Sequence, residues 1–191
     1  MVCKSAQIFI TGGVRSGKSS HAEKLTLRIA QQENRQAVYL ATAVPFDEEM
    51  SERVKKHQED RGGQSWRTIE QSTNIIEVCK SIGEQDVLLW DCVTTWLANE
   101  MYEQETWKKP ALFERRLNEG KEFLRQLSDR NIPVVIVSNE LLDERAYDEE
   151  EVDFYRRQLG LFHQWIVANS THAIEMDYGI PYCWKRDGEV N

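Results

Sequence analysis

The stretch GGVRSGKS at residues 12–19 decides the fold. It fits the phosphate-loop pattern G-x-x-x-x-G-K-[ST], with the pattern positions at Gly12, Gly17, Lys18 and Ser19. In such a loop several backbone N–H groups point at one anion, the lysine places charge beside the β- and γ-phosphates, and the hydroxyl reaches Mg²⁺. The stretch therefore predicts a loop that holds nucleotide phosphates. The predicted contacts are Gly12, Gly13, Val14, Arg15, Ser16, Gly17, Lys18 and Ser19.

The flanking sequence supplies the context that this motif needs. Residues 6–11 form an apolar run that predicts a buried strand, and residues 20–32 carry apolar side chains at helical spacing. A phosphate loop lies between a strand and a helix, whereas an ordinary glycine-rich turn needs neither. The context favours the phosphate loop over the turn.

Strand and helix patterns alternate along the rest of the chain. Strands are predicted at residues 37–42, 87–91 and 133–139, with weaker candidates at 172–176 and 180–184, and helices at 111–130 and 148–168. This alternation predicts an α/β fold, with a mostly parallel sheet and helices on both faces. No composition shift marks a linker, so residues 1–191 are expected to form a single nucleotide-binding domain.

Composition and charge exclude several classes of function. The chain has 24 basic and 32 acidic residues and a net charge of −8, so no general attraction to nucleic acid is expected. No apolar run approaches the ~20 residues of a membrane span, and the start MVCKSAQIF lacks the apolar region of a signal peptide. The four cysteines form no C-x-x-C pair and are expected to be reduced thiols. We therefore expect a cytoplasmic protein with no membrane span.

An acidic residue ends the third predicted strand. Asp91 follows the apolar run VLLW, at the place where a phosphate-loop enzyme positions a carboxylate near Mg²⁺. The alternative is that Asp91 only caps the next helix, VTTWLANEMY. Because the phosphate loop lies upstream, we favour the metal role, with Ser19 and Asp91 flanking one Mg²⁺.

A polar segment after the second strand carries a histidine between two arginines. Residues 47–61 are predicted as a helix, on which Arg53, His57 and Arg61 are four apart and share one face. Neutral imidazole can attack phosphorus, and flanking cations stabilise charge on a transferring group. By spacing alone, a solvated surface histidine remains an alternative.

Four blocks of sequence together resemble a known family. The blocks GGVRSGKSSHAE, YLATA, DEEMSERVKKHQEDRGGQSWRTIE and LLWDCVTTWLAN are similar, in this order, to the adenosylcobinamide kinase / adenosylcobinamide-phosphate guanylyltransferase family of cobalamin biosynthesis. The resemblance implies an enzyme that phosphorylates adenosylcobinamide with ATP or GTP and then transfers GMP from GTP to that phosphate. In the family the GMP rests on a histidine, and His57 occupies that position.

The resemblance also implies a set of site residues and partners. His57 and Lys18 would be catalytic. Beyond the phosphate loop, the implied nucleotide contacts are Thr42, Ala43, Val44, Gln58, Glu59, Asp60, Arg61, Glu70 and Asp91. Glu70 lies in the segment WRTIEQ, which we predict to be a loop, and it either accepts hydrogen bonds from a ribose or guanine edge or is solvated. The implied partners are a small-molecule corrinoid, a nucleotide with Mg²⁺, and further copies of the chain in a homo-oligomer, commonly a trimer.

The second half departs from the family pattern. After the fourth predicted strand the chain has NELLDERAY where the family usually has N-E-V-G-x-G-I-V-P. Further on, Arg157 and His163 in YRRQLGLFHQ replace the usual Asp and Asn. Two alternatives to the bifunctional enzyme therefore stay open: a phosphate-loop kinase of another small alcohol without guanylyl transfer, and a non-catalytic nucleotide-binding paralogue.

Overall fold

A computed structural model describes residues 6–43, 66–140 and 150–190 of the chain. Its strands are β1 (Gln7–Gly12), β2 (Gln36–Ala41), β3 (Trp66–Glu70), β4 (Asp86–Asp91), β5 (Val134–Val137), β6 (His172–Asp177), β7 (Ile180–Arg186) and β8 (Glu189–Val190). Its α-helices are α1 (Lys18–Glu33), α2 (Val93–Tyr102), α3 (Pro110–Asp129) and α4 (Glu150–Asn169), with short 3₁₀ helices at Ile75–Lys80 and Glu103–Lys108. The predicted helix at residues 47–61 lies outside the described residues.

The strands form one eight-stranded sheet in the order β3-β2-β4-β5-β1-β6-β7-β8. Neighbouring strands are parallel from β3 to β6, and only β7 and β8 join by antiparallel pairing. Parallel strands need crossovers, and among the described residues α1 lies between β1 and β2, α2 and α3 lie between β4 and β5, and α4 lies between β5 and β6. The predicted α/β fold with a mostly parallel sheet is confirmed. The single domain over residues 1–191 stays a prediction.

Helices cover both faces of the sheet, as predicted. On one face α1 packs Ala22 and Ile29 against strand residues such as Ile10 and Leu89. On the other face α2, α3 and α4 bury a larger core, whose biggest side chains include Trp90, Trp96, Phe123 and Phe162. The central strands are buried on both faces, which explains why their sequences are continuous apolar runs.

The predicted loop WRTIEQ is wrong, because most of that segment is strand β3. Its residues pair in parallel with β2, from Ala37 opposite Trp66 to Ala41 opposite Glu70. The indole of Trp66 packs edge-on against the ring of Tyr39. As an edge strand of five residues, β3 is only half-buried and so lacks a strong apolar signal.

A buried polar cluster joins α2 and α3 on the larger-core face. We call Glu100, Arg116, Asn74 and Trp96 the Glu100 cluster. The Glu100 side chain is 1% exposed and accepts hydrogen bonds from Asn74 N at 2.7 Å and Trp96 Nε1 at 3.1 Å. Arg116 Nε lies 3.4 Å from Glu100 Oε2, and the same guanidinium also contacts two further carboxylates. Burial raises the pKa of Glu100.

Among the described helices, none is both long and apolar enough to cross a membrane.

Candidate nucleotide site

The phosphate loop (residues 12–19) runs from the end of β1 into the first turn of α1. Gly12 has φ +151°, and a Cβ there would lie 2.4 Å from the carbonyl oxygen of Met176. Gly17, at the N-cap of α1, has φ 88°, a left-handed conformation that favours glycine. Both glycines of the motif are therefore required by the backbone path. The loop is otherwise closed by a hydrogen bond from Ser16 N to Gly13 O at 3.2 Å.

The loop brings a buried cation and a buried hydroxyl to the start of α1. Lys18 is 7% exposed, and its Nζ donates to Gly13 O at 2.9 Å. Ser16 Oγ is buried and has no hydrogen-bond partner among the described residues. The N-terminal end of α1 adds its own positive potential. An ammonium, an unsatisfied hydroxyl and a helix N-terminus at one loop suit a polyphosphate.

Asp91 ends β4 with a carboxylate held by a neighbouring strand. Tyr39, on β2, donates its hydroxyl to Asp91 Oδ2 at 3.0 Å. The N-cap of α2 is Cys92, and no side chain there makes a capping hydrogen bond. The N-cap position of α2 is therefore occupied by Cys92 and not by Asp91. Burial raises the pKa of the Cys92 thiol, which contacts the hydroxyls of Thr94 and Thr95.

Thr42 joins the chain after β2 to the chain after β4. Its buried hydroxyl accepts from Cys92 N at 2.9 Å and donates to Cys92 O at 2.9 Å. Asn99 donates its side-chain amide to Thr42 O at 2.8 Å, which anchors the same segment to α2. The Thr42 side chain thus positions backbone at the carboxyl end of the sheet. Ala43, the next residue, is half-buried.

A buried serine–histidine pair lies beside the phosphate loop. Ser138, directly after β5, has its Oγ 2.7 Å from Nε2 of His163 on α4, and both residues are buried. The His163 ring also packs against Phe9 of β1, and burial lowers its pKa to about 4. Ser138 N donates to Ile10 O, and Glu140 N donates to Gly12 O, each at 3.0 Å. The pair therefore supports the backbone next to the loop.

The described site residues lie at the carboxyl ends of several parallel strands, so they form a row across the sheet and do not surround one point. The loop lies at β1, Asp91 lies at β4 two strand positions away, and Thr42 follows β2. Glu70 is exposed at the end of β3, four strand positions from β1, which corresponds to roughly 19 Å at the usual strand spacing. The other predicted residues lie outside the described residues: Val44, His57, Gln58, Glu59, Asp60 and Arg61, together with Arg53.

His21 is the histidine nearest in sequence to the loop. It is half-buried on α1, and its pKa is lowered first by burial and then by Arg28 and Lys24. A lowered pKa keeps the imidazole neutral at pH 7, which is the nucleophilic form. His21 is therefore a chemically competent rival to His57 and is needed as a control.

Sequence reasoning missed the contacts that hold the site from a distance. These include the Tyr39–Asp91 hydrogen bond, the Ser138–His163 pair, and the hydrogen bonds of Asn139 to Thr94. The two residues of each pair are 52, 25 and 45 positions apart in the sequence, so no local sequence pattern predicts these contacts. The departure of His163 from the family pattern was the only available signal.

Comparison with known proteins decides the family. The family model for cobinamide kinase / cobinamide phosphate guanyltransferase matches residues 8–183. The chain belongs to this family. The match confirms the predicted family and the predicted class of function, a nucleotide-using kinase and guanylyltransferase of cobalamin biosynthesis. It extends across the second half, in which the sequence departs from the usual family pattern.

Three curated relatives are similar over different shares of their lengths. The bifunctional adenosylcobalamin biosynthesis protein CobU of Salmonella typhimurium is 32% identical over 142 residues, which cover 70% of this chain and 75% of that protein. CobP of Pseudomonas aeruginosa is 33% identical over 69% of each chain. CobU of Escherichia coli is 36% identical over 104 residues, so this alignment spans 54% of each chain, about half of that relative.

Solved structures with low sequence identity share the fold. The flagellar accessory protein FlaH of Methanocaldococcus jannaschii has a TM-score of 0.53 at 14% identity, covering 98% of this chain and 83% of that one. A KaiC-like protein of Pyrococcus horikoshii has a TM-score of 0.52 at 12% identity, covering 90% and 71%. At these identities the likeness concerns the fold alone.

Proposed function

We propose that this chain phosphorylates adenosylcobinamide and then transfers GMP from GTP to the resulting phosphate through a guanylyl-histidine. The observation that carries the proposal is the phosphate loop in a chain of the cobinamide kinase / cobinamide phosphate guanyltransferase family. In the first step the aminopropanol hydroxyl attacks the γ-phosphorus of a nucleoside triphosphate and displaces the diphosphate. In the second, GTP loses pyrophosphate, and GMP passes by way of the protein to the new phosphate.

The phosphate loop acts in both steps by holding polyphosphate. Its backbone N–H groups and the Lys18 ammonium neutralise charge on the phosphate oxygens, while the buried Ser16 hydroxyl offers a further donor. Because the two glycines hold this backbone in place before the nucleotide arrives, little reorganisation is needed at the moment of reaction. A single loop thereby serves kinase and guanylyl transfer.

We assign Ser19 and Asp91 to Mg²⁺. A phosphate-loop serine and a carboxylate at the end of a nearby strand are the oxygen donors that this ion takes together with nucleotide phosphates. The Tyr39 hydrogen bond at 3.0 Å orients the Asp91 carboxylate, as expected of a residue that positions a ligand. The ion would neutralise charge on the phosphate oxygens, and Asp91 would hold it on the β4 side of the loop.

We assign the covalent GMP to His57. The chain has four histidines, and the positions of His163 and His172 make those two poor candidates. His163 is buried against Ser138, and His172 begins β6 opposite Ile8, at the end of the sheet away from the loop. His21 lies on α1, beside the loop in sequence, and is the one rival that needs a direct test.

Labelled GTP tests the assignment. Protein incubated with α-labelled GTP and Mg²⁺ should acquire label, and γ-labelled GTP should leave none, because pyrophosphate departs. The label should be lost in acid and survive alkali, which distinguishes a phosphoramidate from an acyl phosphate. Peptide mapping should then find the GMP on His57.

Two matched variants make the result decisive. His57→Ala should fail to take up label yet still phosphorylate adenosylcobinamide, whereas His21→Ala should be labelled like the parent. GMP mapped to His21, or full guanylyl transfer by His57→Ala, would contradict the assignment. Kinase activity without any protein-bound label would instead favour a plain phosphate-loop kinase. Supplying ATP or GTP separately in the kinase assay identifies the phosphoryl donor.

We further propose that the remaining implied nucleotide contacts, Thr42, Ala43, Val44, Gln58, Glu59, Asp60, Arg61 and Glu70, serve the guanylyl step. We also propose a cytoplasmic homo-trimer whose partners are a corrinoid and the nucleotide, on the basis of the resemblance. Light scattering should then give three times the 22.3 kDa chain mass. A monomeric mass would contradict the trimer without affecting the catalytic assignments.

A further inference from the structure

The residues that follow β5 lie between the two halves of the nucleotide site. In the sheet, β5 separates β1, which leads into the phosphate loop, from β4, which ends at Asp91. The three strands are parallel, so their carboxyl ends meet at the same edge of the sheet. Residues 138–140 therefore begin one strand spacing, about 4.8 Å, from each half of the site.

Hydrogen bonds fasten this segment on both sides. On the β1 side Glu140 N donates to Gly12 O at 3.0 Å. On the β4 side the amide Nδ2 of Asn139 donates to Thr94 Oγ1 at 3.2 Å, and Thr94 lies in the first turn of α2, three residues after Asp91. The position of Asn139 is thus fixed relative to the loop and to Asp91 together.

The Asn139 side chain keeps hydrogen-bonding capacity in this position. An asparagine amide has two N–H donors and one carbonyl acceptor. One N–H is used on Thr94, and among the residues that the structure describes the other N–H has no acceptor. The residue is half-buried. A fixed amide that retains a donor suits a phosphate oxygen, which as an anion accepts strong hydrogen bonds.

The contacts assigned to the nucleotide lead it across this segment. They extend from the phosphate loop at β1 to Thr42 after β2 and Glu70 at the end of β3, and β5 and β4 lie between these points. The Mg²⁺ assigned to Ser19 and Asp91 spans the same gap. Phosphates held by the loop and the metal together therefore lie over the carboxyl end of β5, which is the position of Asn139.

We propose that Asn139 is a further phosphate-binding residue, whose side-chain N–H donates to the phosphate chain between the phosphate loop and Mg²⁺. The inference rests on the proposed function for the metal and for the nucleotide contacts at β2 and β3. The amide is uncharged, so it orients the phosphate chain by a hydrogen bond and leaves charge neutralisation to Lys18 and the metal.

Calorimetric titration with inorganic tripolyphosphate and Mg²⁺ tests the inference, because this probe carries phosphates without a base. Asn139→Ala should raise its Kd about tenfold, the loss expected for one hydrogen bond to a charged group. Asn139→Leu keeps the volume of the side chain but has no donor, so it should lose the same affinity. Asn118→Ala, an exposed asparagine on α3, should bind like the parent. Urea denaturation verifies that each titrated variant is folded.

Thr94→Val separates phosphate binding from a structural link. It removes the hydroxyl that accepts from Asn139 but leaves the amide, so its Kd should stay within about threefold of the parent. A residue that only tied the segment to α2 would give equal losses in Thr94→Val and Asn139→Ala, and that result would overturn the proposal.

Parental affinity in Asn139→Ala would also overturn it. The titration involves no transfer of GMP. A protein that binds tripolyphosphate with the expected dependence on Asn139 but acquires no label from GTP would therefore contradict the guanylyl-histidine alone.

Discussion

The phosphate loop and the Glu100 cluster both place polar groups inside the fold, but they do so in opposite ways. The loop is built from backbone, with Arg15 at φ 61° and Gly17 at φ 88°, and it leaves Val14 71% exposed. The Glu100 cluster is built from side chains, and its central carboxylate is 1% exposed and surrounded by donors from three elements. One region is open to an anion, and the other is closed by the chain itself.

The difference shows how this chain separates binding from stability. The loop carries strained backbone and an unsatisfied Ser16 hydroxyl, features whose cost a ligand can offset. In the Glu100 cluster the hydrogen bonds instead connect α2, α3 and the segment at Asn74 to one another. Changes in the loop should therefore act on catalysis with little effect on folding, and changes in the cluster should do the reverse.

The largest expected effect is that of Lys18→Ala. The variant should lose nucleotide-dependent phosphoryl transfer, by at least ~10²-fold in kcat, because the ammonium that neutralises phosphate charge is removed. Steady-state kinetics at saturating nucleotide measure the loss. Lys24→Ala, an exposed lysine on the same helix, should turn over like the parent. Parental turnover in Lys18→Ala would refute the assignment of residues 12–19 as the catalytic loop.

Substitutions in the Glu100 cluster should lower the free energy of unfolding and not the catalytic rate. Glu100→Ala leaves the mostly buried Arg116 guanidinium without its central carboxylate and should reduce the free energy of unfolding by about 3 kcal/mol. Glu100→Gln keeps an acceptor for Asn74 N and Trp96 Nε1, so its loss should be clearly smaller. Urea denaturation measures both. Equal midpoints for parent and Glu100→Ala would show that the cluster contributes nothing to stability.

The Ser138–His163 pair should give the stability of the protein a pH dependence. His163 has a pKa of about 4 in the fold against 6.5 when unfolded, so the unfolded state binds more protons between these values. The contribution of His163 is full above pH 6.5 and is lost as pH falls, by about 2 kcal/mol between pH 6.5 and 5. His163→Asn, which cannot take a proton, should flatten this part of the profile in urea denaturation. An identical pH profile for parent and variant would contradict the prediction.

The smallest expected effect is that of Asp91→Asn. The change is nearly isosteric and keeps an acceptor for Tyr39, so the fold should be unaffected while the charge that attracts Mg²⁺ is lost. We expect about tenfold more Mg²⁺ to be needed for half-maximal activity, an effect of ~1.4 kcal/mol. Asp153→Asn, an exposed carboxylate on α4, should leave the magnesium titration unchanged. A parental titration for Asp91→Asn would remove Asp91 from the metal site.

Local signals were sufficient for most of the architecture. The buried central strands are recognisable in the sequence as short apolar runs. The loop between β1 and α1 is predicted by the spacing of glycine and lysine within eight residues. Helices α1, α3 and α4 lie within two residues of their predicted bounds. The exceptions are β3, whose half-buried edge position weakens the apolar pattern that would reveal it, and the exposed two-residue strand β8.

What the sequence by itself determined was therefore the fold class, the phosphate loop and the family, because each depends on residues close together in the chain or on blocks in order. Only the tertiary structure decided that Tyr39 orients Asp91, that His163 is buried against Ser138, and that the β6–β7 turn abuts the loop. These contacts join residues brought together by strand order in the sheet. Strand order is set by packing both faces of a parallel sheet under helices, and no short stretch of sequence encodes it.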